Sequence, residues 1–212
     1  AGVAAERIHR AMNLTADIEG LAAVLRLHLL GAWTADVELP AQEAPSGSVT
    51  LVADTGETFR GTVLSGGLSA GVWRGLLVGG VGGLRRQLDA THYRSATLAD
   101  VLGDALTEAG ESRAPGGVDL TTHAVDRWTR RRQSAARTVA DVAAAVTVPW
   151  RVLADGSVWV GADAWEDLPA SDLVVVSEHR ADGRYVLVGE TLSLRPGGVA
   201  SLRLADEDLG VR

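Results

Sequence analysis

Residues Val72 to Arg86, VWRGLLVGGVGGLRR, run an apolar strand into clustered glycines. In such an arrangement a backbone can cradle a phosphate or a dinucleotide. That chemistry requires Gly at i, i+2 and i+5, so that the chain turns tightly, approaches the pyrophosphate and opens a helix with free N–H groups. Gly80 and Gly82 meet the first two positions, but Arg85 occupies the third. No Gly-Lys-Ser/Thr follows, and all of the basic residues are arginine. The glycines need a different explanation, and no cofactor-binding residue is assigned.

Other candidates fail on spacing. The five histidines include no pair at i, i+3 or i, i+4 and no H-E-x-x-H, so His28, on a strand, and His92, beside Tyr93, read as structural and no metal ligand is assigned. Without cysteine, disulfides, thiolate metal sites and thiol nucleophiles are excluded. GLSAG, Gly67 to Gly71, approaches the G-x-S-x-G nucleophile elbow but shifts its spacing and sits in a hairpin turn. Glu57, Glu178 and Glu190 lie beside turns or on alternating strands, where solvated acids belong. No catalytic residue is assigned and the chain reads as non-enzymatic. The basic run DRWTRRRQSAAR, Asp126 to Arg137, reads as a solvated segment leading into a helix or as an ion-paired surface between subunits. Its Arg and Trp content favours a protein interface over nucleic acid.

Composition narrows the class. The formal charge of −7 opposes a general nucleic-acid-binding face, which runs on clustered cations. No apolar run reaches the roughly 20 residues of a membrane helix, and the N-terminal stretch lacks a signal-peptide core. Twenty-five glycines in 212 residues imply many turns and many short strands.

The elements follow from periodicity. Residues 1–20 carry Ile8, Ala11 and Met12 at helical spacing, which predicts a short helix or an arm. From Val24, two-residue alternation predicts a meander of five short strands through residue 80, with a turn at Asp54-Thr55-Gly56. A small barrel or sandwich is the economical way to hide its edges. TLADVLGDALTEAG predicts a helix started by Thr97 and Asp100, striped by Leu98, Val101, Leu102, Ala105 and Leu106, and stopped by Gly110. TVADVAAAV predicts a second helix started by Thr138 and Asp141, with a strand through Val118 and Leu120 between the two. Hairpins are predicted around Asp155-Gly156 and Asp182-Gly183, with a last strand in GGVASLRLADEDLGVR. The fold class is α+β and β-rich. The expected organisation is an arm or helix over 1–20, a tube-like barrel over 21–92, an α+β domain over 93–166 and a second β-rich region over 167–212.

Two phrases carry a family resemblance: GETFRGTVLSGGLSAGVWRGLLVGGVGGLRRQLDATHYRSATLADVLGDALTEAG, Gly56 to Gly110, and RTVADVAAAVTVPWRVLADGSVWVG, Arg137 to Gly161. In order and texture, over roughly three quarters of the chain, it resembles the baseplate hub family of contractile phage tails, the late control gene D type proteins of Mu-like and P2-like phages. The resemblance implies tube-like small β-barrels flanking a small α+β domain. It makes Gly79, Gly80, Gly82 and Gly83 the seam where the first barrel passes to a connector. It further implies a homotrimer whose two barrels per chain form a pseudo-sixfold ring, joining the tail tube protein to the central spike protein. Contacts with other baseplate or tape-measure proteins, a place in the virion after assembly in the bacterial cytoplasm, and a lumen that passes DNA without specific binding also follow from it. No membrane, cofactor or enzyme chemistry is implied. Region 167–212 is short for a complete second barrel, compatible with a minimal hub, with strands from another chain or with a fragment.

Two rival readings remain at this stage. One is a tail-associated cell-wall hydrolase using the strand glutamates. The other is a monomeric β-rich binding module with Trp33, Trp73 or Trp159 stacking on a ligand, although alternating strands favour core packing for all three.

Overall fold

Ala35, Val37 and Leu39 are buried while Asp36 and Pro40 are exposed, the two-residue period of a strand with one face on a core. The computed structural model describes residues 12–14, 18–19, 22–28, 30–53, 58–162, 174–179, 184–188 and 203–204. The chain divides into two compact units, Ala1–Ala162 and Asp163–Arg212. In the first, seven strands form one antiparallel sheet: β1 (Met12–Leu14), β2 (Ile18–Glu19), β3 (Ala22–Arg26), β4 (Thr34–Pro40), β5 (Ser48–Ala53), β6 (Thr58–Ser69) and β7 (Val72–Gly79).

Met12, which helical spacing grouped with Ile8 and Ala11, is therefore in a strand; Ile8 and Ala11 lie outside the described residues. The five strands expected between residues 24 and 80 are present, but they do not form a meander. The sheet order is β2-β1-β5-β6-β7-β4-β3, and β4 pairs along its whole length with β7, from Thr34 opposite Val78 to Pro40 opposite Val72. Alternation reports which face of a strand is buried, not which strand lies beside it. Nor are all the strands short, since β6 has twelve residues, with Leu64 bulged out of the ladder between Val63 and Ser65. The Asp54-Thr55-Gly56 turn lies outside the described residues.

The chain itself requires this sheet to curl. Its edge strands, β2 and β3, are separated by Gly20 and Leu21 alone, which bridge at most about 11 Å. Laid flat, seven strands span roughly 29 Å. The sheet curls into a half-barrel, which brings β2 beside β4. Bulges such as the one at Leu64 supply such bending.

Beyond β7 come β8 (Gln87–Leu88), β9 (Thr91–Thr97), α1 (Leu98–Ala109), β10 (Ala124–Arg130), β11 (Gln133–Ser134), α2 (Ala135–Ala145), β12 (Trp150–Val152) and β13 (Val158–Val160). Thr97 and Asp100 form the expected capping box of α1, its apolar stripe is buried, and Gly110 ends it in the left-handed conformation. Helix α2 begins earlier than its sequence suggested. Ser134 is the cap, accepting from the Arg137 N–H, while Thr138 lies buried inside the helix. The local pattern Thr-x-x-Asp was satisfied there too, but Ser134 is where the preceding strand ends. The strand expected through Val118 and Leu120 is displaced as well. Val118 donates to Val160 from a loop, Leu120 opens a 3-10 turn capped by Asp119, and the strand is β10.

β8 and β9 pair with β11 and β10 in one continuous register: Leu88 faces Gln133, and three residues further along Thr91 faces Arg130. The result is a two-stranded ribbon whose ends lead into α1 and α2. The β12–β13 hairpin forms around Asp155-Gly156 as expected, with Arg151 opposite Trp159. It docks on the half-barrel through Gly31 to Trp150, Val152 to Gly31 and Arg60 to Ala154 backbone hydrogen bonds. One hydrophobic core runs from Trp33, Leu51 and Trp73 of the sheet to Leu102 and Val142 of the helices.

The second unit contains β14 (Val174–His179), β15 (Arg184–Val188) and β16 (Arg203–Leu204), with β14 antiparallel to β15 and parallel to β16. The Asp182-Gly183 turn lies outside the described residues. The fold is α+β and β-rich.

Candidate functional site

The glycine loop does bind an anion, and the chain supplies it. Gly80 and Gly82 have φ of +81° and +83°, which turns successive N–H groups inward as a nest. The Glu111 carboxylate fills that nest, accepting from the Val81, Gly83 and Leu84 N–H groups at 3.1, 2.8 and 3.3 Å. Glu111 is buried. It is delivered by the end of α1, where the Glu111 N–H donates to Leu106 and the Gly110 N–H to Thr107, a Schellman turn. A Cβ on Gly80 would stand 2.6 Å from the Glu111 carboxylate, and one on Gly83 2.0 Å from the Ala109 carbonyl oxygen. With its donors occupied and its walls this close, the loop is a structural clasp. Sequence reasoning missed Glu111; the available signal was an acid directly after a helix-ending glycine.

Upstream glycines serve the indoles. Gly61 faces Gly79 and Gly66 faces Gly75 across β6 and β7. Trp33 lies over the first pair and Trp73 over the second. Both rings are buried, with the Trp33 Nε1–H donating to the Leu153 carbonyl at 3.3 Å and its ring edge-on to Phe59. Trp159 is half-buried, with the Arg151 guanidinium 4.4 Å over its ring. Trp33 and Trp73 are thus unavailable for stacking on a ligand.

The remaining sequence candidates do not converge. Of Gly67 to Gly71, expected in a hairpin turn, Gly67, Leu68 and Ser69 end β6 and only Ala70 and Gly71 form the β6–β7 turn, both at positive φ, the geometry of a two-residue hairpin connection. His28 and His92 are exposed, and His92 Nδ1 is 3.1 Å from the Thr129 hydroxyl. Glu57 and Glu190 lie outside the described residues, and of Glu178 only the backbone, in β14, is described. Among the described residues no three His, Asp or Glu side chains gather as a metal site, and no helix is long and apolar enough to cross a membrane.

The basic run belongs to the ribbon. Expected as a solvated segment leading into a helix or as an ion-paired surface between subunits, it does run into α2 at its end, but it begins in β10, whose partner β9 lies more than thirty residues away and left no local trace. On one side of the ribbon Trp128 faces Tyr93, both half-buried, and burial pushes the Tyr93 phenol up from its ordinary pKa. On that side Arg130 is buried, donating to Glu108 at 2.5 Å, to the Thr91 hydroxyl and to the Asp89 carbonyl. On the other side Arg127 stands directly opposite Arg94, both exposed. Arg131 and Arg132 follow, exposed as well. The candidate functional surface is this outer, arginine-bearing side.

No protein-family model matches the sequence, and no curated protein matches it. Solved structures do. The 43 kDa tail protein of prophage MuSo2 from Shewanella oneidensis superposes with a TM-score of 0.60 at 13% identity, over 92% of this chain and 72% of that one. A tail protein from Neisseria meningitidis MC58 gives a TM-score of 0.51 at 14% identity, over 92% and 71% of the two chains. The chain shares its fold with these phage tail proteins.

Proposed function

We propose that this chain is a structural, non-enzymatic component of a phage-type tail: a baseplate hub that acts as a homotrimer and joins a sixfold tail tube to a threefold central spike. The observation that carries the reading is the fold similarity to two tail proteins over 92% of the chain, joined to the sequence resemblance to contractile-tail hubs. Two β-rich regions per chain, taken three times, supply six tube-like elements for a ring, and neighbouring subunits cover sheet edges that a lone chain leaves open. A net charge of −7 suits a conduit through which DNA passes without adhering. On this reading the chain is virion-associated, at the tail baseplate, and is assembled in the host cytoplasm with tube, spike and other baseplate or tape-measure proteins.

The test is the mass of the purified protein by light scattering, with and without its tail-tube partner. A trimer, alone or induced by the tube protein, is expected. A monomer under both conditions overturns the hub reading and favours a monomeric binding module.

A further inference from the structure

Two buried side-chain atoms among the described residues have no hydrogen-bond partner, Tyr93 Oη and Arg130 Nη1, and both belong to the inner side of the β9–β10 ribbon. Thr91 faces Arg130 and Tyr93 faces Trp128. Tyr93 and Arg130 are therefore diagonal neighbours across the two strands, within reach of each other for side chains this long. Buried polar groups are paired as a rule, and one that is not costs its desolvation in full. Two such atoms at one place call for one shared partner.

The rest of the guanidinium is engaged. Arg130 is 3% exposed; its Nε donates to the Asp89 carbonyl and its Nη2 to the Thr91 hydroxyl and the Glu108 carboxylate, which leaves the Nη1 protons without an acceptor among the described residues. Helix α1 closes the other side. Asp104 and Glu108 stand one turn apart on it and so share a face. Burial pushes the Tyr93 phenol up from its ordinary pKa, Arg130 opposes the rise, and Asp104 and Glu108 add to it, so the hydroxyl lies in the field of all three charged groups.

The chemistry of these atoms selects the ligand. Arg130 Nη1 can only donate, which excludes a metal ion. Its charge is already met by Glu108, and a second carboxylate, Asp104, opposes an anion. A water molecule is neutral, both donates and accepts, and needs two to four polar partners. Asp104 is exposed, which gives water an entry from the helix side. We infer that an ordered water binds between the ribbon and α1, accepting from Arg130 Nη1, hydrogen-bonded to Tyr93 Oη and donating to the Asp104 carboxylate. It ties the ribbon to α1 and so steadies the arginine-bearing outer side from behind. The inference is independent of the trimeric reading.

A crystal structure of the full chain, grown in the presence of bromide, tests it directly. The expected result is a density peak within about 3.2 Å of both Arg130 Nη1 and Tyr93 Oη, without a bromide anomalous signal. A bromide signal there makes it an anion site, and direct bonding of both atoms to protein groups leaves the ligand no place; either overturns the inference. In solution, Tyr93→Phe removes one end of the bridge and is expected to lower the thermal midpoint by about 2–4 °C, the loss of a single hydrogen bond in a chain of this size. An unchanged or raised midpoint overturns the bridge, because it is the result for a buried hydroxyl that never had a partner. In the Glu108→Ala/Arg130→Met background, which lacks the other end, the same replacement should cost less. An equal loss in both backgrounds overturns the bridge as well.

Discussion

The Glu111 carboxylate stands 2.8 Å from the Gly83 N–H, and this one hydrogen bond fastens the end of α1 to the loop that leaves the half-barrel. Val81 and Leu84 donate to the same carboxylate. Glu111→Ala removes the acceptor from three inward-facing N–H groups and is expected to cost about 2–4 kcal/mol in urea denaturation. Glu111→Gln keeps one acceptor oxygen and should cost less. Amide exchange at Val81 and Gly83 should accelerate in the alanine variant, and unchanged exchange there would show that the clasp contributes nothing.

Trp73 covers the Gly66–Gly75 pair so closely that a Cβ on Gly75 would meet its ring at 2.1 Å. Gly75→Ala must therefore displace a buried indole and is expected to destabilise by about 1–3 kcal/mol. Gly67→Ala, one residue along from Gly66, has open space and should change little. Intrinsic fluorescence reports the displaced ring directly.

Arg130 and Glu108 form an ion pair in which the guanidinium is buried. Glu108→Ala strands that charge and should cost about 3 kcal/mol, whereas a double replacement with Arg130→Met should recover much of the loss. Thermal melts of the two single variants and the double variant measure the coupling. Additive losses would contradict it.

Three aspartates set the acid limb of stability. Asp100 accepts the Thr97 N–H and hydroxyl, Asp119 the hydroxyl and N–H of Thr121, and Asp155 the hydroxyl and N–H of Ser157; these bonds hold each carboxyl below its usual range. The unfolded chain, with aspartate pKa near 3.9, takes up protons before the folded one. The stability these bonds confer is complete above about pH 4 and is lost as pH falls further. A triple Asp→Asn variant should lose less thermal midpoint than the parent below about pH 4. Parallel acid limbs would refute the assignment.

What was legible in the sequence was local. The inward set of β4, the capping box and apolar stripe of α1 and the Asp155-Gly156 hairpin each depend on residues within one turn or one strand of each other. Those signals sufficed for a β-rich α+β fold. They also showed that no phosphate loop was present, since Arg85 stands where the third glycine belongs.

Tertiary structure decided whatever joins distant residues. β4 lies beside β7 rather than β5, Arg94 faces Arg127, and Glu111 reaches back 28 residues to Gly83. Thr138 had the local signature of a cap, yet Ser134 holds that role because β11 ends there against β8. Periodicity states which side of an element seeks the core. Only the packed chain determines which neighbour meets that side, because strand register and the closure of loops between remote segments are set by the whole core at once.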